Sequence, residues 1–152
     1  MAYTETLELA LTLDQLVLSK TAILFDIPAE IAGEEREGRT WTIKQELGHL
    51  VDSAMNNHNR IVRATLDGHH TGPTYDPDAW VALANYTEIP WTTLIGFWRD
   101  LNLQLSRIIA RIPPDRLTAP CIIGTNASVT LQFLIDDYTV HMLHHIDQIF
   151  TQ

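Results

Sequence analysis

Between Pro90 and the Pro113-Pro114 pair, Leu94, Phe97, Trp98, Leu101, Leu105, Ile108 and Ile112 recur at steps that fit one helical face. A face so apolar has to be covered by other parts of the chain. Three further segments carry the same period. The first runs from about Thr4 to Phe25 on Leu9, Leu13, Leu16, Val17 and Leu24, and Pro28 with the charged run Gly33 to Gly38 stops it. The second starts at a capping-box pattern, Thr42 with Gln45, where Trp41 is placed to pack at its start. Ile43, Leu47, Leu50, Val51, Ala54 and Ile61 form its stripe, and Gly68 closes it. The last opens on Ser128 or Thr130 as cap and carries Leu131, Leu134, Ile135, Tyr138, Met142, Ile146 and Ile149. Four amphipathic helices and few alternating β-branched runs predict an all-α four-helix bundle, as one domain over residues 1–152.

The connections carry most of the Gly and Pro, and at least two reach about ten residues or more, beyond what simple bundles use. In GHHTGPTYDPD, Asp76-Pro77 is an N-cap and first-turn pair for a short extra helix through Trp80 and Leu83. The stretch Asp115 to Ala127, with Pro120, Gly124 and Asn126, suits a turn or a brief strand. Such long crossings either cover an open end of a bundle or carry function.

Composition removes several function classes. Ten Lys+Arg against nineteen Asp+Glu leave a formal charge of -9, which opposes binding to nucleic acid or to an anionic membrane. No apolar run approaches the ~18 residues that would span a bilayer. The opening MAYTETLELA places Glu5 and Glu8 where a signal peptide would be basic. A single cysteine, Cys121, excludes an internal disulfide framework, so a cytoplasmic setting is expected. Cys121 also has no basic neighbour in sequence, which argues against a nucleophilic thiol.

Chemistry concentrates in the histidines. His141 and His145, in VHMLHHIDQI, stand one helical turn apart and can aim two imidazoles at one point, half of a transition-metal site. His144 lies further round towards solvent. The best third ligand is His49, in QELGHLVDSAMNNHNR, although a helical wheel sets it opposite the Leu47/Val51/Ala54 stripe on a polar face shared with Asp52, Asn56 and Arg60. That face is either solvated or lines a water-filled groove, and the wheel alone favours the solvated alternative. His58 falls on the apolar stripe and reads as a core histidine. His69 and His70 read as solvated loop residues.

WTIKQELGHLVD in the second helix and HMLHHIDQI in the last resemble the DinB-like superfamily of metal-binding four-helix bundles. The matching positions are Trp41, His49, Asp52, His141, His145, Gln148 and Ile149, in the family's order over nearly the full chain. The resemblance implies one divalent metal ion (zinc, nickel or iron) on His49, His141 and His145, with water completing the shell. It further implies a metal-dependent transferase or hydrolase, and more narrowly a thiol-dependent S-transferase that uses a low-molecular-weight thiol on a small-molecule substrate. It is compatible with a homodimer. Asp52 is expected to orient a ligand histidine or act as a catalytic general base, against a plain solvated carboxylate. Arg60 and Arg63 are candidates to pair a substrate carboxylate, or else surface ion pairs. Tyr75 and Trp80 are placed to roof a pocket, with Trp80 expected to pack on the bundle, and Tyr138 belongs first to the core. The competing class is a non-enzymatic metal-binding or interaction protein, which turnover with a thiol and an electrophile would separate from an enzyme.

Overall fold

The computed structural model describes residues 3–151. Four long helices dominate: α1 (Tyr3–Phe25), α3 (Ile43–Asp67), α5 (Trp91–Ile109) and α6 (Leu131–Phe150). A single turn, α2 (Ala29–Ala32), and the short helix α4 (Pro77–Ala84) lie in the connections, with 3-10 turns at Tyr86–Glu88 and Pro114–Thr118. No helix among the described residues is long and apolar enough to cross a membrane.

The helix ends follow local chemistry. Thr42 accepts from the Gln45 backbone N–H while the Gln45 side chain accepts from the Thr42 N–H, a complete capping box. Gly68 ends α3 at φ 79°, in the left-handed region where a Cβ would be strained. Asp76 caps α4 with Pro77 in its first turn, and Thr130 rather than Ser128 caps α6.

In space α1 packs on α5, α5 on α3 and α3 on α6, so α1 has as its main neighbour a helix that is not the next long one in the chain. The long connections make that order possible. Because α5 is wedged between α1 and α3, it is buried on two flanks. Its fully covered line is Leu94, Ile95, Trp98, Leu105 and Ile109, with Ile112 beyond its end. Phe97 is instead 42% exposed, and Leu101 and Ile108 are half-buried, so the expected stripe is rotated towards α1 and α3. Inside this core, the Tyr138 hydroxyl of α6 donates to Asn102 Oδ1 of α5, and Asn102 Nδ2 donates to the Trp98 carbonyl at 2.8 Å. The pair satisfies two polar groups that would otherwise be buried alone.

The bundle carries a three-stranded sheet that the helical period does not announce. β1 (His70–Gly72) pairs in parallel with β2 (Pro120–Ile123), and β2 pairs antiparallel with β3 (Val129–Thr130). The register sets His70 beside Cys121 and Cys121 beside Val129. His70, expected in solvent, is therefore buried by the strand pairing, while His69 stays exposed. Cys121 is fully buried and burial pushes its thiol pKa up, which removes it as a nucleophile. The Leu131 N–H donates to the Ala119 carbonyl at 2.9 Å, tying the start of α6 to the sheet.

Candidate metal centre

The α3 face opposite the Leu47/Val51/Ala54 stripe is covered. Glu46, His49, Asp52, Ser53 and Asn57 are all buried, His49 at 3% exposure. On the helical wheel alone that face reads as solvated. That expectation fails because α3 packs against α5 on its apolar side and against α6 on the other, leaving its polar residues in an internal cleft. His58 is only half-buried, at the margin of the apolar face it was expected to join.

In that cleft α3 and α6 bring His49, His141 and His145 together, with one ligand nitrogen of each within 4.8 Å of the others. Their rings meet edge to face, with centroids 5.1, 4.4 and 4.5 Å apart around the three pairs. The Nε2 atoms of His49 and His141 lie 3.2 Å apart. Two nitrogens bound to one tetrahedral ion at ordinary zinc–nitrogen lengths would stand about 3.3 Å apart. His144, one residue from His145, is exposed and offers no nitrogen to the cluster.

Burial keeps the imidazoles of His49 and His141 neutral. Desolvation, with smaller contributions from the neighbouring rings, lowers the His49 pKa from 6.5 to about 3 and the His141 pKa to about 4. Neutral rings with free lone pairs are what a metal ion requires of histidine. The donor set, the spacing and the protonation state all fit a divalent ion. Histidine-only ligation does not choose between zinc, nickel and iron(II).

Orientation of the triad comes from residues the periodicity does not single out. Glu46, one turn before His49, accepts from His145 Nδ1 at 2.6 Å and so leaves Nε2 as the ligand nitrogen. Its other oxygen accepts from Arg36 at 3.1 Å, and Arg36 also donates to the Trp41 and Gln148 carbonyls. This carboxylate–histidine pair is the arrangement that commonly fixes the tautomer of a metal ligand. Ser53 Oγ stands 3.5 Å from His141 Nδ1, and the Trp41 ring packs on His49 with centroids 4.9 Å apart. The only hint of Glu46 in sequence is a carboxylate in the first turn of the capped helix. Arg36, from the loop before it, leaves no hint at all.

Asp52 sits elsewhere. Its Oδ1 accepts from the Tyr86 hydroxyl at 2.5 Å, its Oδ2 is buried without a partner among the described residues, and it bonds to none of the three histidines. Burial raises its pKa, an effect the Tyr86 bond only partly offsets. Tyr86 reaches it because Gly48 has no side chain: a Cβ there would lie 2.1 Å from the Tyr86 ring. Tyr75 does line the cavity beside the triad, whereas the half-exposed Trp80 packs against Tyr75 with the rings tilted and 5.0 Å between centroids. Arg63 is exposed and donates to Asn59. Tyr138 is buried in the core and also borders the cavity.

The family model described as the DinB superfamily matches residues 12–149. The chain is 26% identical over 120 residues to "Putative metal-dependent hydrolase OB0413" of Oceanobacillus iheyensis, covering 79% of this chain and 68% of that protein. It is 23% identical over 141 residues to "Putative metal-dependent hydrolase BH0277" of Halalkalibacterium halodurans, covering 93% and 74%. In fold it is similar to YfiT from Bacillus subtilis, described as "a probable metal-dependent hydrolase with an unusual four-helix bundle topology". The TM-score is 0.83 at 20% identity, over 97% of this chain and 85% of YfiT. It is also similar to a mycothiol-dependent maleylpyruvate isomerase, with a TM-score of 0.66 at 17% identity over 90% and 59%.

Proposed function

This chain belongs to the DinB superfamily, and we propose that it is a divalent-metal-dependent enzyme acting on a small molecule, with water or a low-molecular-weight thiol as the nucleophile. The observation that carries this reading is the convergence of three imidazoles beside an open cavity that His141 itself lines. A zinc, nickel or iron(II) ion held by those nitrogens would supply Lewis acidity, which brings the pKa of a bound water or thiol towards neutrality. The names of the curated relatives support hydrolysis, and the isomerase neighbour supports the use of a thiol.

The chain's own residues supply positioning. Glu46 accepts a hydrogen bond from the Nδ1–H of His145, and Arg36 keeps Glu46 from turning away. Three neutral ligands leave the ion its full charge, where a carboxylate ligand would reduce it. Asp52 is held by Tyr86 and touches neither the triad nor the cavity among the described contacts, so the proton-accepting role expected of it rests on its place in the sequence pattern alone. The acidic balance of the chain opposes nucleic acid as a partner.

The test is a screen of common low-molecular-weight thiols against electrophiles, beside a hydrolase panel, with metal-loaded and chelated protein in parallel. Turnover in the loaded sample that chelation removes, with the circular-dichroism signal of the helices intact, is the expected result. Equal background rates in both samples across the panels would overturn the enzyme reading and leave a non-enzymatic metal-binding protein. Loss of the helical signal on chelation would make the ion structural.

A further inference from the structure

We propose that the cavity beside the triad binds a small monocarboxylate with an apolar body, and that Arg60 is its anion anchor. This rests on the reading of the triad as the reacting end of the cavity. The cavity, of about 440 Å³, lies between α3 and α6 under Tyr75 and the β2–β3 turn, a size ordinary for a small-molecule site. Ser53, Asn57 and Arg60 line it from α3, at positions that share one helical face. His141 borders the cavity at the triad, and Ser53 faces His141 Nδ1. From Ser53 to Arg60 the helix rises about 10 Å, room for a short ligand between the triad and the guanidinium.

Arg60 is the one Lys or Arg among the lining residues, and it has no carboxylate partner among the described residues. It is half-buried, with Nη2 donating to the Pro73 carbonyl at 3.3 Å and its guanidinium carbon 5.9 Å from the Tyr75 ring centroid. No ion pair involving it occurs among the described residues. Most of the ten basic side chains likewise lack a carboxylate partner among the described residues, and what sets Arg60 apart is its place, half-buried on the wall of the cavity. A guanidinium presents five donors in a planar fork that matches a carboxylate, and the carbonyl of Pro73 occupies one of them. Phe133 and Leu134 supply apolar wall for the ligand body. Asp137, also lining the cavity one turn before His141, opposes a second negative charge on the ligand and so limits it to a monoanion.

Hexanoate and its neutral counterpart hexanamide are the probes, titrated into wild type and Arg60→Gln by ligand-observed NMR, each protein both zinc-loaded and chelated. Hexanoate should bind wild type about tenfold tighter than hexanamide, the low end for hydrogen bonds to a charged group, and should do so in both states. Arg60→Gln should remove that preference while leaving hexanamide affinity unchanged. Arg60→Lys, which keeps the charge and loses the fork, should retain only part of it, and it carries the test if the glutamine variant does not fold. Equal binding of the two probes to wild type would overturn the proposal, as would a preference that survives Arg60→Gln. A preference seen only with zinc would also overturn it, by placing the carboxylate on the ion. If the protein binds none of zinc, nickel and iron(II), the metal-enzyme reading fails, yet the preference of the chelated protein still tests Arg60.

Discussion

At the scale of single residues, the triad and its supports make separable predictions. Alanine at His49, His141 or His145 should each abolish stoichiometric metal binding, measured by elemental analysis of untagged protein. His144→Ala should keep it, because that ring is exposed and outside the cluster. An unchanged metal content in any triad variant would take that histidine out of the ligand set. Glu46→Gln keeps the shape of the side chain but weakens its hold on the His145 Nδ1–H. Metal affinity should fall by about 10–100-fold, the range usual for such supporting groups, in a competition titration with a chromophoric chelator. No change in affinity would mean that the Glu46 contact has no role in ligation.

At the scale of the elements, α3 and α5 show why a helix position has to be judged against its neighbours. Glycine inside a helix is usually worse than alanine by about 1 kcal/mol, yet Gly48→Ala should destabilise the protein. The added Cβ would meet the Tyr86 ring and push its hydroxyl away from Asp52. A net cost of about 1–3 kcal/mol is expected for such overpacking, and a stabilised variant in urea denaturation would refute the close approach. On α5, Leu105 is fully buried while Leu101 is half-buried. Leu105→Ala should cost about 2–5 kcal/mol. Leu101→Ala should cost distinctly less, and equal costs would argue against the rotated face.

At the scale of the whole molecule, two neutral histidines buried between α3 and α6 make the metal-free protein sensitive to acid. In the unfolded chain they protonate near 6.5, whereas in the fold His49 and His141 resist protonation until about 3 and about 4. Between those values the unfolded state binds more protons. Their contribution to stability is therefore complete above the unfolded value and is lost as pH falls through the folded ones. Asp52, with its pKa raised by burial, contributes with the opposite sign. Thermal melts of chelated protein should show a lower Tm as pH drops from 7 to 4, and His49→Gln with His141→Gln should flatten that dependence. A Tm independent of pH in the wild type would mean the rings are protonated as readily folded as unfolded.

The sequence by itself determined both ends of α3 and the start of α4, because caps and breakers act within a few residues: Thr42 with Gln45, Gly68 and Asp76-Pro77 all sit where local hydrogen bonding and φ place them. It also determined that His141 and His145 share a face, since one helical turn separates them. The resemblance carried by WTIKQELGHLVD and HMLHHIDQI supplied His49 as their partner. What periodicity could not decide is what covers a face. The polar side of α3 looks like a solvated surface until α6 is laid against it. The buried line of α5 shifts once α1 and α3 enclose it on two flanks. The pairing of His70 with Cys121, the bond from Glu46 to His145 and the clamp of Arg36 on Glu46 join residues from separate elements. Such contacts follow from packing geometry, which a pattern along one helix does not contain, so only the tertiary structure turned a polar stripe and a lone carboxylate into a candidate metal centre.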